Sequence, residues 1–396
     1  MADRCDVVVV GAARTPIGKF LGALSPLTAP RLGAVAIRAA VERSGIDPSS
    51  IDEVFMGNVV SAGIGQAPAR QAAIGAGIPD SVPATTINKV CGSGLKAVML
   101  AAQAIRAGDG TIYVAGGMES MSNAPYLLPQ ARSGYRLGHG QILDANVHDG
   151  LWCAFVDQHM GMLAEHIAQV YDVSRDEQDR CAVESHRKAV AAQRTGAFAE
   201  EIVPIDVPRR NGPPTRVADD ETPRPDTSLE ALANLRPAFC NDGRVTAGNA
   251  PGLSDGAAAV VLMERRTAER GGFPILARII GYANAARDPK MIFAAPPLAI
   301  RAVLDRTGLS LDDVDLLEVN EAFAAQILAN QKELGWDAAK LNVNGGAIAL
   351  GHPIGASGAR VLVTLIHALR RRGSRRGLAA LCLGGGGAVA MAVETV

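Results

Sequence analysis

Ala36-Ile37-Arg38-Ala39 opens a helical pattern that stops at Gly45 and leads, at Asp52-Glu53-Val54, into a strand. The same order returns downstream as Ala299-Ile300-Arg301-Ala302, then Gly308, then Asp315-Leu316-Leu317. Glycine just past an apolar-periodic run is a helix stop, because it takes left-handed backbone angles without strain. Outward from this pair the echo continues. Ser93-Gly94-Leu95-Lys96 begins an apolar helix, and so does Ser357-Gly358-Ala359-Arg360. Each helix precedes a strand that ends in glycines, Thr111 to Gly117 and Leu378 to Gly385. Val7-Val8-Val9-Val10 reads as a buried first strand. Strands alternating with helices at this spacing predict an α/β chain of βαβ units and a mostly parallel sheet. Two units in one order predict two similar halves, whose shared interface can pool residues into one site.

The stretch from about 122 to 250 breaks the repeat. Pro125, Pro129, Gly134, Gly138 and Gly140 make its start turn-rich. A capping box, Ser174-x-x-Glu177, then predicts a helix through Gln193. Prolines from Pro204 to Pro225 mark an irregular region after it. An insertion of this length predicts a lid or loop domain serving binding or assembly. The expected division is 1–121 with about 252–273 as one half, 122–251 as the loop domain, and 274–396 as the second half.

Bulk composition narrows the function classes. The 396 residues exceed one simple core, so two or three domains are expected. Hydrophobic residues make up 48% and charged residues 20%, with a net charge of −1, which predicts a soluble protein with no field for nucleic acid or membrane. The most apolar late stretch, Leu378 to Val393, is shorter than a membrane span. The N-terminus carries no signal-like pattern, and a cytoplasmic protein is expected. Cys5, Cys91, Cys153, Cys181, Cys240 and Cys382 form no C-x-x-C pair or disulfide framework and read as reduced thiols. No H-E-x-x-H occurs among the seven histidines, so no metal site is expected.

Three positions carry candidate chemistry. Cys91 lies in Asn88-Lys89-Val90-Cys91-Gly92-Ser93-Gly94, where a strand-like run becomes a helix. A thiol at a helix N-terminus feels the positive end of the dipole and free N–H groups, which predicts a lowered pKa. The same N–H groups suit an oxyanion. Two other patterns overlap here, a dinucleotide-like Gly92-x-Gly94-x-x-Ala97 with Glu119 downstream, and Ser93-x-x-Lys96. Both are weak, since the first strand leads into Ala12-Ala13-Arg14 and no Lys-Thr-Gly follows. His352 lies on the turn Gly351-His352-Pro353, where it can serve as acid and base to a cysteine. Asn320, in Val319-Asn320-Glu321-Ala322-Phe323, reads either as a helix cap or as a site residue, and Glu321 reads as structural. Cys382 sits before Gly384-Gly385-Gly386-Gly387.

At these four blocks, in this order and spacing, the chain resembles a thiolase. The resemblance runs from Arg14-Thr15-Pro16-Ile17-Gly18 to the C-terminal strand. It implies duplicated βαβ halves forming a layered αβαβα core, with an inserted loop domain over coenzyme A. By that resemblance Cys91 accepts the acyl group, His352 activates it, and Cys382 moves the proton at Cα of the second acyl-CoA. One oxyanion hole would use His352 and a water on Asn320; the other would use the N–H groups of Cys91 and Gly384. No cofactor is implied beyond the coenzyme A thioesters themselves. The segment Tyr126 to Gly140 resembles the acetoacetyl-CoA branch, in which it supports a homotetramer. His159, Met160, Phe239, Ala247, Pro251 and Phe323 match positions around acyl and pantetheine groups, and Arg224 matches one near the adenine nucleotide. The implied reaction joins two acetyl-CoA into acetoacetyl-CoA and CoA, or runs in reverse.

The chain departs from that pattern at several places. Pro251 and Ala231 stand where serines are common, and Ile292 where a methionine is. Phe293 and Ala295 stand where glycines are common. These changes bear on coenzyme A affinity and on the acyl pocket. They leave room for a thiolase of longer or branched chains, and for a non-catalytic acyl-CoA binder. A decarboxylating ketosynthase of related fold is a further alternative, opposed by the second cysteine.

Overall fold

The computed structural model describes residues 6–396. Cys5 and the N-terminal residues before it lie outside the described residues. The N-terminal half contributes β1 (Val7–Arg14), α1 (Ala29–Ser44), β2 (Glu53–Gly57), α2 (Pro68–Ala76), β3 (Ala84–Ile87), α3 (Ser93–Ala107) and β4 (Ile112–Ser120). The insertion carries α4 (Met160–Val170) and α5 (Arg175–Arg194). The chain then returns through β5 (Ser254–Glu264). The second half follows as β6 (Ala277–Ala286), α6 (Pro296–Thr307), β7 (Leu316–Val319), α7 (Ala324–Leu334), α8 (Ile354–Arg372), β8 (Arg376–Leu383) and β9 (Gly387–Glu394).

The duplication is visible strand by strand. The N-terminal half orders its strands β1-β5-β4-β2-β3, and the C-terminal half orders them β6-β9-β8-β7. In both, the inner βα pair is parallel (β2 with β4, β7 with β8), and the two strands beside it are antiparallel. The expectation of a mostly parallel sheet is therefore corrected to a mixed one. The physical reason is the connection. β8 returns through a tight glycine turn to β9, and β5 arrives from the insertion, so neither is delivered by a crossover helix.

The repeated local signals act alike. Gly45 and Gly308 cap α1 and α6 at φ 72° and 69°. Asp52 Oδ2 accepts the N–H groups of Thr111 and Ile112 at 2.7 and 2.8 Å. Asp315 Oδ2 accepts those of Arg375 and Arg376 at 2.8 Å each. Each aspartate thus fastens the start of its own β4 or β8.

Three apolar clusters give the layers. α1 and α2 cover one face of the first half-sheet. α6 and α7 cover the far face of the second. Between them α3 and α8 pack against both half-sheets, through Leu95, Val98, Leu362, Leu365 and Ile366. The two central helices touch backbone to backbone: a Cβ on Gly94 would meet Ala359 N at 2.7 Å, and one on Gly358 would meet Leu95 N at 2.3 Å. Glycine at both points lets the N-terminal ends of α3 and α8 meet, and that brings Cys91 and His352 to one place.

Arg14, at the end of β1, ties the insertion to this core. It is fully buried, and its guanidinium meets Asp220 through two bonds of 2.7 and 2.9 Å and Glu201 through one of 2.6 Å. α5 starts at the expected capping box, with Ser174 and Glu177 exchanging bonds. No helix of the described residues is long and apolar enough to cross a membrane.

Candidate active site

Cys91 occupies the turn between β3 and α3. The turn is tight: Gly92 N–H donates to Lys89 O, Ser93 N–H to Val90 O, and Ser93 Oγ accepts from Lys89 N–H at 2.8 Å while donating to Val90 O at 2.6 Å. Val90 is held at φ 48°, a left-handed conformation unfavourable for a β-branched residue. Such strain persists where surrounding bonds over-determine it, and it often accompanies a working side chain. Here it turns Cys91 into a cavity.

His352 sits two residues before α8, as Cys91 sits two before α3. Its Nδ1 lies 2.6 Å from Ser357 Oγ, and Ser357 Oγ donates to Pro353 O at 2.9 Å. The serine proton is thus committed, so Nδ1 is the donor and Nε2 keeps its lone pair. Nε2 faces Asn320 Nδ2 at 3.4 Å. His352 N–H donates to Ser254 Oγ, and Gly355 N–H donates to the carboxylate of Glu119. Glu119 also accepts from Asn58, Val59 and Val60, so it spans the two halves behind the turn.

Asn320 is fully buried and follows β7. It does not cap α7, whose N-cap is Phe323. Its Oδ1 has no protein hydrogen-bond partner. Glu321 is structural as read: its carboxylate accepts from Ser185, Asn342 and Ile348. Cys382 lies near the end of β8, 1% exposed. The hairpin after it places Gly385 and Gly386 at φ 84° and 83°, angles that require glycine.

Cys91, His352, Cys382 and Gly384 line one cavity of about 210 Å³. His159, Met160, Phe239, Pro251 and Phe323 line it as well, with Ile292, Phe293, Met121 and Ile354. The walls are aromatic: His159 stacks on Phe239 at 5.0 Å, Phe239 meets Phe323 edge to face at 6.4 Å, and Phe323 meets Phe293 likewise at 5.1 Å. His159 also caps α4, its Nδ1 accepting from Gly161 N–H. Arg224 and Ala247 are elsewhere. Arg224 lines a separate groove with Arg187 and Arg194, and Ala247 is exposed.

The electrostatics correct one expectation. Burial pushes the Cys91 thiol up to about 12, although the N–H groups of Cys91 itself and Gly384 face the sulfur and oppose the rise. These two N–H groups do not outweigh desolvation, so the resting form is a thiol. Burial, with the nearby Cys91, also raises the Cys382 thiol well above its usual value. Burial, aided by Arg360, lowers His352 to about 3. At neutral pH the site therefore holds two thiols and a neutral imidazole with an available Nε2. Ser357, which fixes that tautomer, carries no signal in the sequence; it marks only the start of a repeated helix there. Among the described residues no cluster of three metal-ligating side chains occurs, and the five described cysteines are unpaired.

The model of the thiolase N-terminal domain matches residues 7–266, and that of the thiolase C-terminal domain matches residues 273–395. An acetyl-CoA acetyltransferase of Pseudomonas aeruginosa is 57% identical, covering 98% of both chains. One of Cupriavidus necator is 55% identical, covering 98% of this chain and 99% of the other. The crystal structure of the Bacillus anthracis acetyl-CoA acetyltransferase superimposes with a TM-score of 0.97 at 46% identity, covering 99% of each. With both thiolase domain models matched, over residues 7–266 and 273–395, the chain belongs to the thiolase family.

Proposed function

We propose that this chain joins two acetyl-CoA into acetoacetyl-CoA and CoA, reversibly, through an acetyl-Cys91 intermediate. The observation that carries the reading is the convergence of Cys91, His352 and Cys382 on one apolar cavity. The relatives named as acetyl-CoA acetyltransferases support the substrate.

The resting protonation states set the order of events. Nε2 of His352 takes the Cys91 proton as the sulfur attacks the first thioester. The departing CoA thiolate takes the Cys382 proton. The site then holds an imidazolium and a Cys382 thiolate, and each charge stabilises the other at this depth. The thiolate removes a proton from Cα of the second acetyl-CoA. The enolate attacks acetyl-Cys91, and the imidazolium returns its proton to the Cys91 sulfur. All three groups end as they began. The N–H groups of Cys91 and Gly384 suit the acyl oxyanion. The imidazolium Nε2–H and a water on Asn320 Oδ1 suit the enolate oxygen. Each such donor contributes about 3–4 kcal/mol.

The nucleotide end of coenzyme A would reach the groove at Arg224, past Ala247. The exposed apolar residues Tyr126, Leu128, Leu137 and Ile142 support the reading that this segment assembles a homotetramer. A cytoplasmic location is part of the same proposal. Intact-mass measurement after acetyl-CoA treatment tests the core of it. One added acetyl group, absent in Cys91→Ser, is expected together with acetoacetyl-CoA in solution. No mass gain would overturn the reading.

A further inference from the structure

The wall of the reactive cavity facing Cys382 is built by a short helical turn, Pro289–Ala294, just before α6. Phe293 points its ring inward and is 2% exposed. It shares one apolar cluster with Cys382, Ala322, Phe323 and Met160. Its position is pinned from behind. Asn330 Nδ2 donates to Phe293 O at 2.6 Å, Gln326 Nε2 donates to Asn330 Oδ1 at 2.9 Å, and Ala322 N–H donates to Gln326 Oε1 at 3.1 Å. This buried chain locks the backbone at Phe293 to the start of α7, beside Phe323. The backbone that carries the ring cannot shift without breaking buried bonds. Its edge-to-face contact with Phe323 holds it from the front.

We infer that Phe293 is the specificity-determining residue of this site: its fixed ring closes the cavity to acyl chains longer than the acetoacetyl group. The inference rests on the acyltransferase reading above. The space enclosed beside the lining cysteines and histidine, about 210 Å³, is all that an acyl group can fill. Ile292 lies beside the ring, is equally buried and lines the same cavity. A rigid apolar wall discriminates by volume, at about 10–200-fold for each methylene it excludes.

The test compares thiolysis of 3-ketohexanoyl-CoA with thiolysis of acetoacetyl-CoA. In Phe293→Ala the ratio of their kcat/KM values is expected to rise at least about tenfold over the unmodified chain. Phe293→Leu, which keeps more of the packing, should rise less in the same direction. A loss of stability alone would lower both substrates together and leave the ratio unmoved, and that result overturns the inference. A measurement on the unmodified protein needs no substitution. Acetyl-CoA should acylate Cys91 faster than hexanoyl-CoA by at least about tenfold, read by intact mass. Equal rates overturn the inference while leaving the acyltransferase reading intact. Failure of acetyl-CoA itself to acylate Cys91 would instead remove the reading on which it rests.

Discussion

In the N-terminal half, β3 runs as a full strand into the Cys91 turn. In the C-terminal half its counterpart is a single bridge from Leu341 to Leu317, and residues 342–351 intervene before His352. The two halves agree at the base, where Asp52 and Asp315 bind equivalent strand starts, and differ at the tips. The difference is chemically useful. The short N-terminal junction holds the Cys91 thiol at the start of α3, next to Val90 at φ 48°. After the long C-terminal junction, Ser357 and Asn320 contact the imidazole and Ser254 holds the backbone N–H of His352. Duplication thus supplied two equivalent helix starts, and divergence at the junctions placed a thiol before one and an imidazole before the other.

The largest expected effect breaks this division at its sulfur. Cys91→Ser should remove the acetyl-enzyme and lower kcat by about 10⁴-fold or more. Acetyl found on another residue would show that the N-terminal junction is not the acceptor. Cys382→Ser should still take up acetyl from acetyl-CoA, because CoA is a good leaving group, while condensation falls by about 10²–10⁴-fold. If acetylation disappears as well, the two sulfurs do not divide the work as assigned.

The halves also bury their arginines differently, and stability can test that. Arg14 makes three bonds to Glu201 and Asp220, so Arg14→Ala leaves two buried carboxylates uncompensated. A loss of about 3–5 kcal/mol in denaturant unfolding is expected. Arg360, in the other half, meets Glu318 only at 3.7 Å, and its Nε makes no hydrogen bond.

Ser357→Ala separates tautomer control from bulk packing. Unmaking this buried bond costs about 1–3 kcal/mol, and kcat should fall by about tenfold or more with KM little changed. A change confined to KM would remove Ser357 from the support of His352.

The last effect belongs to Glu318 and is read as a slope against pH. Burial, opposed by Arg360, raises its carboxyl to about 8, so it is neutral in the fold at pH 7. A folded pKa above the unfolded one means that the native state binds more protons between pH 4.5 and 8. Glu318 therefore favours folding at low pH and loses that contribution as pH rises through 8. Glu318→Gln needs no proton to fold, so it should gain on the unmodified chain as pH rises from 4.5 to 8 and flatten this slope. A loss as large as that of Arg14→Ala would show an ionised pair instead and erase the contrast between the halves.

The sequence by itself determined the duplicated plan, because helix stops, capping boxes and strand starts are local. Gly45, Gly308 and Ser174 behave as their immediate neighbours dictate. It also marked Cys91, His352, Asn320 and Cys382, since each sits in a glycine-rich or strand-end block that stands out in one dimension. It misjudged strand direction, because that depends on what connects two strands in space. It missed the protonation of Cys91, because burial is the sum of everything packed around a sulfur and exceeds the pull of the N–H groups facing it. Only the tertiary structure decided that Ser357 orients the imidazole, that Glu119 bridges the halves, and that Phe293 narrows the cavity. Those roles arise where distant segments meet, and no spacing along the chain encodes a distance across it.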